Sequence, residues 1–195
     1  MTEQKIKDSK SQMNTNQTQP KHKRLALPDL KAHLIFWPLA VVGLVLDLWT
    51  KKAVFDWLEP HEPYIVIDGF VQLVEALNDG AAWGLFSGNT VFLAAISVIA
   101  LAAVFVIFLF SARQPRLVHI ALGFFAAGVS GNLYDRIFNG GLVRDFIDVS
   151  YRNYHWPAFN LADSFLCVGV GLLMASMIWD LIVQKLAQRR ARQQK

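Results

Sequence analysis

Four stretches of the chain are apolar over lengths that so small a soluble domain has no room to bury. They run from about Leu34 to Thr50, from Thr90 to Phe110, from Leu117 to Phe138 and from about Ala158 to Val183. The second is the plainest: residues 91–110 carry no charge and one hydroxyl, Ser97. Twenty helical residues span about 30 Å, the thickness of a bilayer core. The pattern therefore predicts an all-α membrane protein with four transmembrane helices. Between the first two spans the pattern changes. Tyr64-Ile-Val-Ile67 and Phe70-Val-Gln-Leu-Val-Glu-Ala76 are β-branched and aromatic runs separated by Asp68-Gly69. Asp-Gly between such runs marks a hairpin, so a small sheet is expected outside the spans. A further segment, 139–157, contains Gly140-Gly141 and Trp156-Pro157 and is expected to be irregular.

Composition agrees, with 54% hydrophobic and 17% charged residues and a mean hydropathy of +0.33. The net charge of +4 matters less than its distribution. Lys5, Lys7, Lys10, Lys21, Lys23, Arg24 and Lys31 precede the first span, and Lys185, Arg189, Arg190, Arg192 and Lys195 follow the last. Arg113 and Arg116 lie between spans two and three. Segments rich in Lys and Arg beside apolar spans stay on the cytoplasmic face, which favours a membrane orientation signal over nucleic-acid binding. Beyond Lys51 and Lys52, the link between spans one and two has only acids: Asp56, Glu59, Glu62, Asp68, Glu75 and Asp79. That link belongs outside. The expected division is a disordered basic cytoplasmic tail over 1–32, a transmembrane domain over 33–184 and a basic cytoplasmic tail over 185–195. No small-residue cleavage site follows the first span, so a cleavable leader is not expected. The single cysteine, Cys167, lies in an apolar segment and is expected to be a buried structural thiol.

Ionisable and amide side chains are expensive in a bilayer, so each asks for a reason. Asp47 lies 13 residues beyond Leu34, or about 20 Å from the inner face, and Asn132 lies 15 residues beyond Leu117, at about 22 Å. Asp163, six residues after Pro157, sits about 9 Å in from the outer face. Three spans thus place polar groups at one level, which points to a single pocket open to the outer side. Asn160, Asp163 and Ser164 share a helical face, as do Asn132 with Arg136 and Asp47 with Lys51. The last pair also reads simply as an ion pair fixing a helix end, and Asn132 with Arg136 as a helix-to-loop anchor. Asp163 is harder to explain structurally, because Pro157 favours a first helical turn and would leave Asp163 one turn too late to cap. Asp145 and Asp148, in Val143-Arg-Asp-Phe-Ile-Asp148, are its two candidate partners, and spacing alone does not choose between them; Asp148 also reads as a solvated loop acid.

Two nearby carboxylates resist joint ionisation and titrate as a pair. The ionised one takes a proton from a bound water, the protonated one polarises a peptide carbonyl, and the roles exchange when the amine leaves. Other schemes are weaker: no histidine stands near Cys167 in sequence, Ser130 and Ser164 lack a base, and His61, His119 and His155 have no metal-ligand spacing. A proton-coupled transporter would need polar groups through the full membrane depth, and a packing subunit would manage with Asn or Ser. Phe70, Trp83, Phe86 and Trp156 are expected to form an amphipathic rim.

Five segments carry a resemblance to a known family: Asp47-Leu-Trp-Thr-Lys51, Asn78-Asp-Gly-Ala-Ala-Trp-Gly84, Gly128-Val-Ser-Gly-Asn-Leu-Tyr-Asp-Arg136, Gly141-Leu-Val-Arg-Asp-Phe-Ile-Asp148 and Trp156-Pro-Ala-Phe-Asn-Leu-Ala-Asp163. In this order the chain resembles the bacterial lipoprotein signal peptidases, or signal peptidase II. The resemblance implies four membrane helices with a small periplasmic β-cradle, both termini cytoplasmic, in the inner membrane. It implies an aspartic endopeptidase, sensitive to globomycin, that cleaves a prolipoprotein just before a diacylglyceryl-modified cysteine. It places the catalytic pair on Asp145 and Asp163 and supporting roles on Asp47, Lys51, Asn78, Gly80, Gly131, Asn132, Arg136 and Asn160. No cofactor, metal or nucleic acid is implied; the partners are the lipidated substrate and membrane lipid, with the protein acting as a monomer. Trp83 stands where the family often has Phe, and Arg144 where an apolar residue is common.

Overall fold

The computed structural model describes residues 27–59, 62–81, 84–152 and 154–193. Among these described residues, four helices are long and apolar enough to cross a membrane: α1 (Leu30–Trp57), α2 (Thr90–Leu109), α3 (Arg116–Phe138) and α4 (Leu161–Gln193). Four strands accompany them: β1 (Tyr64–Ile67) and β2 (Val71–Asn78) between α1 and α2, and β3 (Val143–Tyr151) and β4 (Tyr154–Phe159) between α3 and α4. The strands form one antiparallel meander in the order β1-β2-β3-β4.

The helix ends depart from the expected spans for identifiable reasons. α1 starts at Leu30 because the Asp29 side chain accepts from the Ala32 N–H at 2.8 Å, a helix N-cap. The end of the expected tail is therefore helical, while residues 1–26 of it lie outside the described residues. α4 runs on through Gln193, well past the expected end of its span. Its extension, Lys185-Leu-Ala-Gln-Arg-Arg-Ala-Arg-Gln193, consists of strong helix formers. The segment over 139–157 is the larger correction. It is two ordered strands, not irregular chain, so the sheet has four strands and not only the expected hairpin. Pro157 sits in β4, an edge strand, where a missing N–H is tolerated. At the expected hairpin, Gly69 takes φ +66°, the left-handed conformation that the tight turn needs.

α3 is the central helix and packs against α1, α2 and α4. Of its most apolar window 56% is buried, against 22%, 17% and 11% for α1, α2 and α4, whose remaining apolar surface faces outward. This exposed apolar surface is what a multi-pass membrane protein presents to lipid. Small residues on α3 permit close approach. A Cβ on Gly128 would lie 2.5 Å from the Ala162 carbonyl oxygen of α4, and one on Gly123 would lie 2.9 Å from Leu39 Cβ of α1. At the end remote from the sheet, Phe36 stacks on Phe108 at 4.1 Å above Val104, Leu122 and Ala126. There the buried His119 is held through Nε2 to the Ser111 hydroxyl (2.9 Å) and carbonyl (3.2 Å).

Candidate active site

Where the sheet meets the helices, a cavity of about 530 Å³ opens. Asn78, Gly80, Asn132, Arg136, Asp145 and Asp163 line its polar side, and Trp156, Phe159, Leu166 and Cys167 supply apolar walls. Asn160, Asp47, Lys51 and Gly131 do not line the cavity. They form the hydrogen-bonded layer behind it.

Asp163 arrives by a helix cap. The chain leaves β4 and turns at Asn160, whose Oδ1 accepts from the Asp163 N–H (3.0 Å), while Asp163 Oδ2 accepts from the Asn160 N–H (3.2 Å). This reciprocal capping box places Asp163 in the first turn of α4. It overturns the expectation that Asp163 lies a turn too deep to cap, because Pro157 belongs to β4 and does not start the helix. The second oxygen, Oδ1, accepts from Asn132 Nδ2 at 2.8 Å.

Asp145 arrives on β3. Register pairs it with Ala76 of β2, and Asn78 pairs with Val143 two residues away. Asp145 is 2% exposed, with Oδ1 accepting from Asn160 Nδ2 (2.6 Å) and Oδ2 from Asn78 Nδ2 (2.9 Å). Asn160 therefore touches both carboxylates. Residues three apart on a strand point to opposite faces, and Asp148 accordingly lies away from the cavity, accepting from Gln72 Nε2 (2.6 Å) with His155 Nε2 at 3.3 Å. Of the two acids that spacing left open, Asp145 and not Asp148 lines the cavity with Asp163. Among the described residues no group of three His, Cys, Asp or Glu side chains is placed to hold a metal ion.

Burial pushes the Asp145 carboxyl up to about 6; the Asn78 amide opposes this, the Asp163 carboxylate adds to it, and Asn160 and Lys51 oppose it. Asp145 thus keeps its proton to a higher pH than an ordinary aspartate.

The layer behind is a buried charge network. Lys51 Nζ lies 2.7 Å from Asp47 Oδ2 and 3.3 Å from Asp135 Oδ2, and donates to Asn132 Oδ1 at 3.0 Å. Asp47 Oδ1 accepts from the Ala162 N–H (2.8 Å), so α1 also holds the start of α4. A Cβ on Gly131 would overlap Asp47 Oδ2. The simple ion-pair reading of Asp47 and Lys51 is correct but incomplete, since the pair ties three helices together. Arg136 donates to the Asn132 carbonyl (3.3 Å) and the Gly80 carbonyl (3.1 Å), anchoring the loop after β2, and Asn78 Oδ1 accepts from the Gly80 N–H (2.9 Å).

Two members were missed in sequence. Asp135, wholly buried, accepts from the Arg144 backbone N–H (3.0 Å), Nε (3.2 Å) and Nη2 (2.6 Å). The only signal was one unpaired acid beside Arg136 and one odd cation before Asp145. Cys167, expected to be buried, is exposed and lines the cavity one turn beyond Asp163. Of the expected aromatic rim only Trp156 lines the cavity; Phe70 and Phe86 are exposed elsewhere, and Trp83 lies outside the described residues.

A multi-pass membrane protein with a buried and a half-buried aspartate facing one cavity is the class that fold and site define. Residues 39–179 match the family described as Signal peptidase (SPase) II. The chain is similar to the lipoprotein signal peptidases of Bacillus pumilus, at 35% identity over 75% of this chain and 94% of the relative, and of Geobacter metallireducens, at 38% over 75% and 91%. It also resembles a bacterial membrane enzyme solved by the in meso method at 2.3 Å resolution, with a TM-score of 0.70 and 31% identity over 80% of this chain and 92% of that one. The chain belongs to the signal peptidase II family of membrane proteases.

Proposed function

We propose that this protein removes the signal peptide from diacylglyceryl-modified prolipoproteins by aspartic catalysis, cleaving just before the lipidated cysteine, with Asp145 and Asp163 as the catalytic pair. The observation that carries this reading is the convergence of both carboxylates on one cavity, cross-linked by Asn160. Asp145, raised to about 6, is assigned the shared proton. Asp163 takes a proton from a water held between them as that water attacks the scissile carbonyl. Asp145 protonates the carbonyl oxygen, and the roles reverse as the cysteine amine leaves. Asn78 and Asn160 fix the Asp145 carboxyl, Asn132 fixes Asp163, and Arg136 and Gly80 shape the loop at the rim. Asp47, Lys51 and Gly131 hold these elements in register.

The apolar wall of Leu166, Cys167 and Phe159 suits a lipid-bearing substrate, and the exposed apolar helix surfaces leave access from the membrane. We place the protein in the bacterial inner membrane as a monomer. Lys31, Arg113, Arg116, Lys185 and Arg189 lie at the ends remote from the sheet, which supports cytoplasmic termini and an active site near the outer face.

The test is incubation of the purified protein with a prolipoprotein in diacylglyceryl-modified and unmodified forms. Mass spectrometry should find cleavage of the modified form alone, with the lipidated cysteine as the new N-terminus and globomycin blocking the reaction. Equal cleavage of both forms, or a cut elsewhere, overturns the reading.

A further inference from the structure

Asp135 is wholly buried next to Arg136 yet does not line the cavity. Its carboxylate accepts three bonds from one residue: Oδ2 from the Arg144 backbone N–H, and Oδ1 from Arg144 Nε and Nη2. Arg144 immediately precedes Asp145 on β3. Neighbouring residues of a strand point to opposite faces, so drawing Arg144 back against α3 turns Asp145 toward the cavity. A guanidinium fork combined with a backbone bond fixes angle as well as position. Behind Asp135 stands Lys51, 3.3 Å away, which also bonds Asn132, the residue that holds Asp163. One buried ammonium thus backs both arms of the carboxylate pair.

We propose that the Asp135–Arg144 clasp is the positioning device of Asp145, setting its orientation toward Asp163 without touching substrate. The inference rests on the carboxylate-pair reading above. Arg144 and Asp135 are positioning residues; the chemistry stays with the two aspartates in the cavity.

The test is a double-variant cycle on the full-length purified protein, assayed with the diacylglyceryl-modified prolipoprotein at a temperature where circular dichroism shows each variant folded. A misplacement of a reacting group by about 1 Å lowers rates about 100-fold. Arg144→Met is therefore expected to lose about 10- to 100-fold in kcat with KM within about twofold, as for an interaction felt in the transition state. Arg144→Lys, which keeps the charge without the fork, should fall between wild type and Arg144→Met. Asp135→Asn combined with Arg144→Met should be no worse than the worse single variant. Should Asp135→Asn not fold, the two Arg144 variants carry the test, because the Arg144 side chain is 19% exposed and is better tolerated when changed. Wild-type kcat in folded Arg144→Met, a change in KM alone, or losses that multiply in the double variant would overturn the proposal. A parallel Asp145→Asn arm separates the two readings. If it abolishes cleavage while Arg144→Met does nothing, only the clasp fails; if it cleaves normally, the carboxylate-pair reading fails.

Discussion

Adding one methyl group at Gly131 should damage both stability and catalysis, and the size of the effect follows from what the methyl meets. The Cβ of Gly131→Ala would overlap Asp47 Oδ2, lie 2.9 Å from Asp47 Cγ and sit 3.2 Å from Ala162 Cβ. Asp47 is fully buried and bonded on both sides, to Lys51 Nζ at 2.7 Å and to the Ala162 N–H at 2.8 Å. The carboxylate has no free direction in which to move. Overpacking a tight interior costs about 1–3 kcal/mol. Detaching Asp47 from Lys51 adds an uncompensated buried charge, for which about 3–5 kcal/mol is typical. Partial relaxation places the expected loss at about 2–5 kcal/mol. The assay is reversible unfolding in mixed micelles, with activity measured on the folded fraction. Asp47→Ala in the same chain removes the atoms the methyl strikes, so the double variant should be less destabilised than the sum of the singles. Gly171→Ala is the control: a Cβ there meets nothing within 4 Å, so this change inside α4 should cost no stability and should instead gain about 0.5–1 kcal/mol. A Gly131→Ala protein as stable as wild type, or a strictly additive double variant, would refute the reasoning.

Other outcomes follow from the same geometry. Asp145 holds its proton up to about 6, so kcat/KM should decline as pH rises through that value and the shared proton is lost. Between 3.8 and about 6 the folded form binds more protons than the unfolded form, so stability should fall with rising pH across that window and level off above it. The Asn78 amide lowers the Asp145 value, so Asn78→Ala should move the alkaline limb of kcat/KM to higher pH; an unmoved or lowered limb contradicts the assigned role. Asp148→Asn should leave kcat close to that of wild type, since Asp148, although buried, bonds Gln72 and sits against His155 and not the cavity. A large loss of kcat in that variant would reopen the choice between the two aspartates.

How much of this was legible in the chain depends on the range of the interaction. The spans were legible because lipid contact selects apolar residues continuously, and the hairpin because Asp68-Gly69 is a local signal. The shared depth of Asp47, Asn132 and Asp163 followed from helical rise alone, and the bonds Lys51–Asn132, Asn132–Asp163 and Asp47–Ala162 realise it. β3 and β4 were not legible because Gly140-Gly141 just before β3, Pro157 within β4 and the charged residues Arg144, Asp145 and Asp148 mask their alternation, and their order comes from pairing, β3 with β2 and β4 with β3. For the same reason Asp145 and Asp148 stayed equivalent: strand alternation separates them only once the segment is known to be a strand. Pro157 misdirected the start of α4, since the true cap is formed by Asn160 and Asp163 with each other. The Asp135–Arg144 clasp joins a helix to a strand across a turn, and no periodicity announces such a contact.

The central claim is that Asp145 and Asp163 perform the hydrolysis together. Its most direct measurement is single-turnover cleavage of the diacylglyceryl-modified prolipoprotein by purified Asp145→Asn and Asp163→Asn proteins, each shown to be folded by its unfolding transition in the same micelles. Both variants should bind the substrate and release no signal peptide, while wild-type protein releases it in full. Release of signal peptide at the wild-type rate by either folded variant would contradict the account.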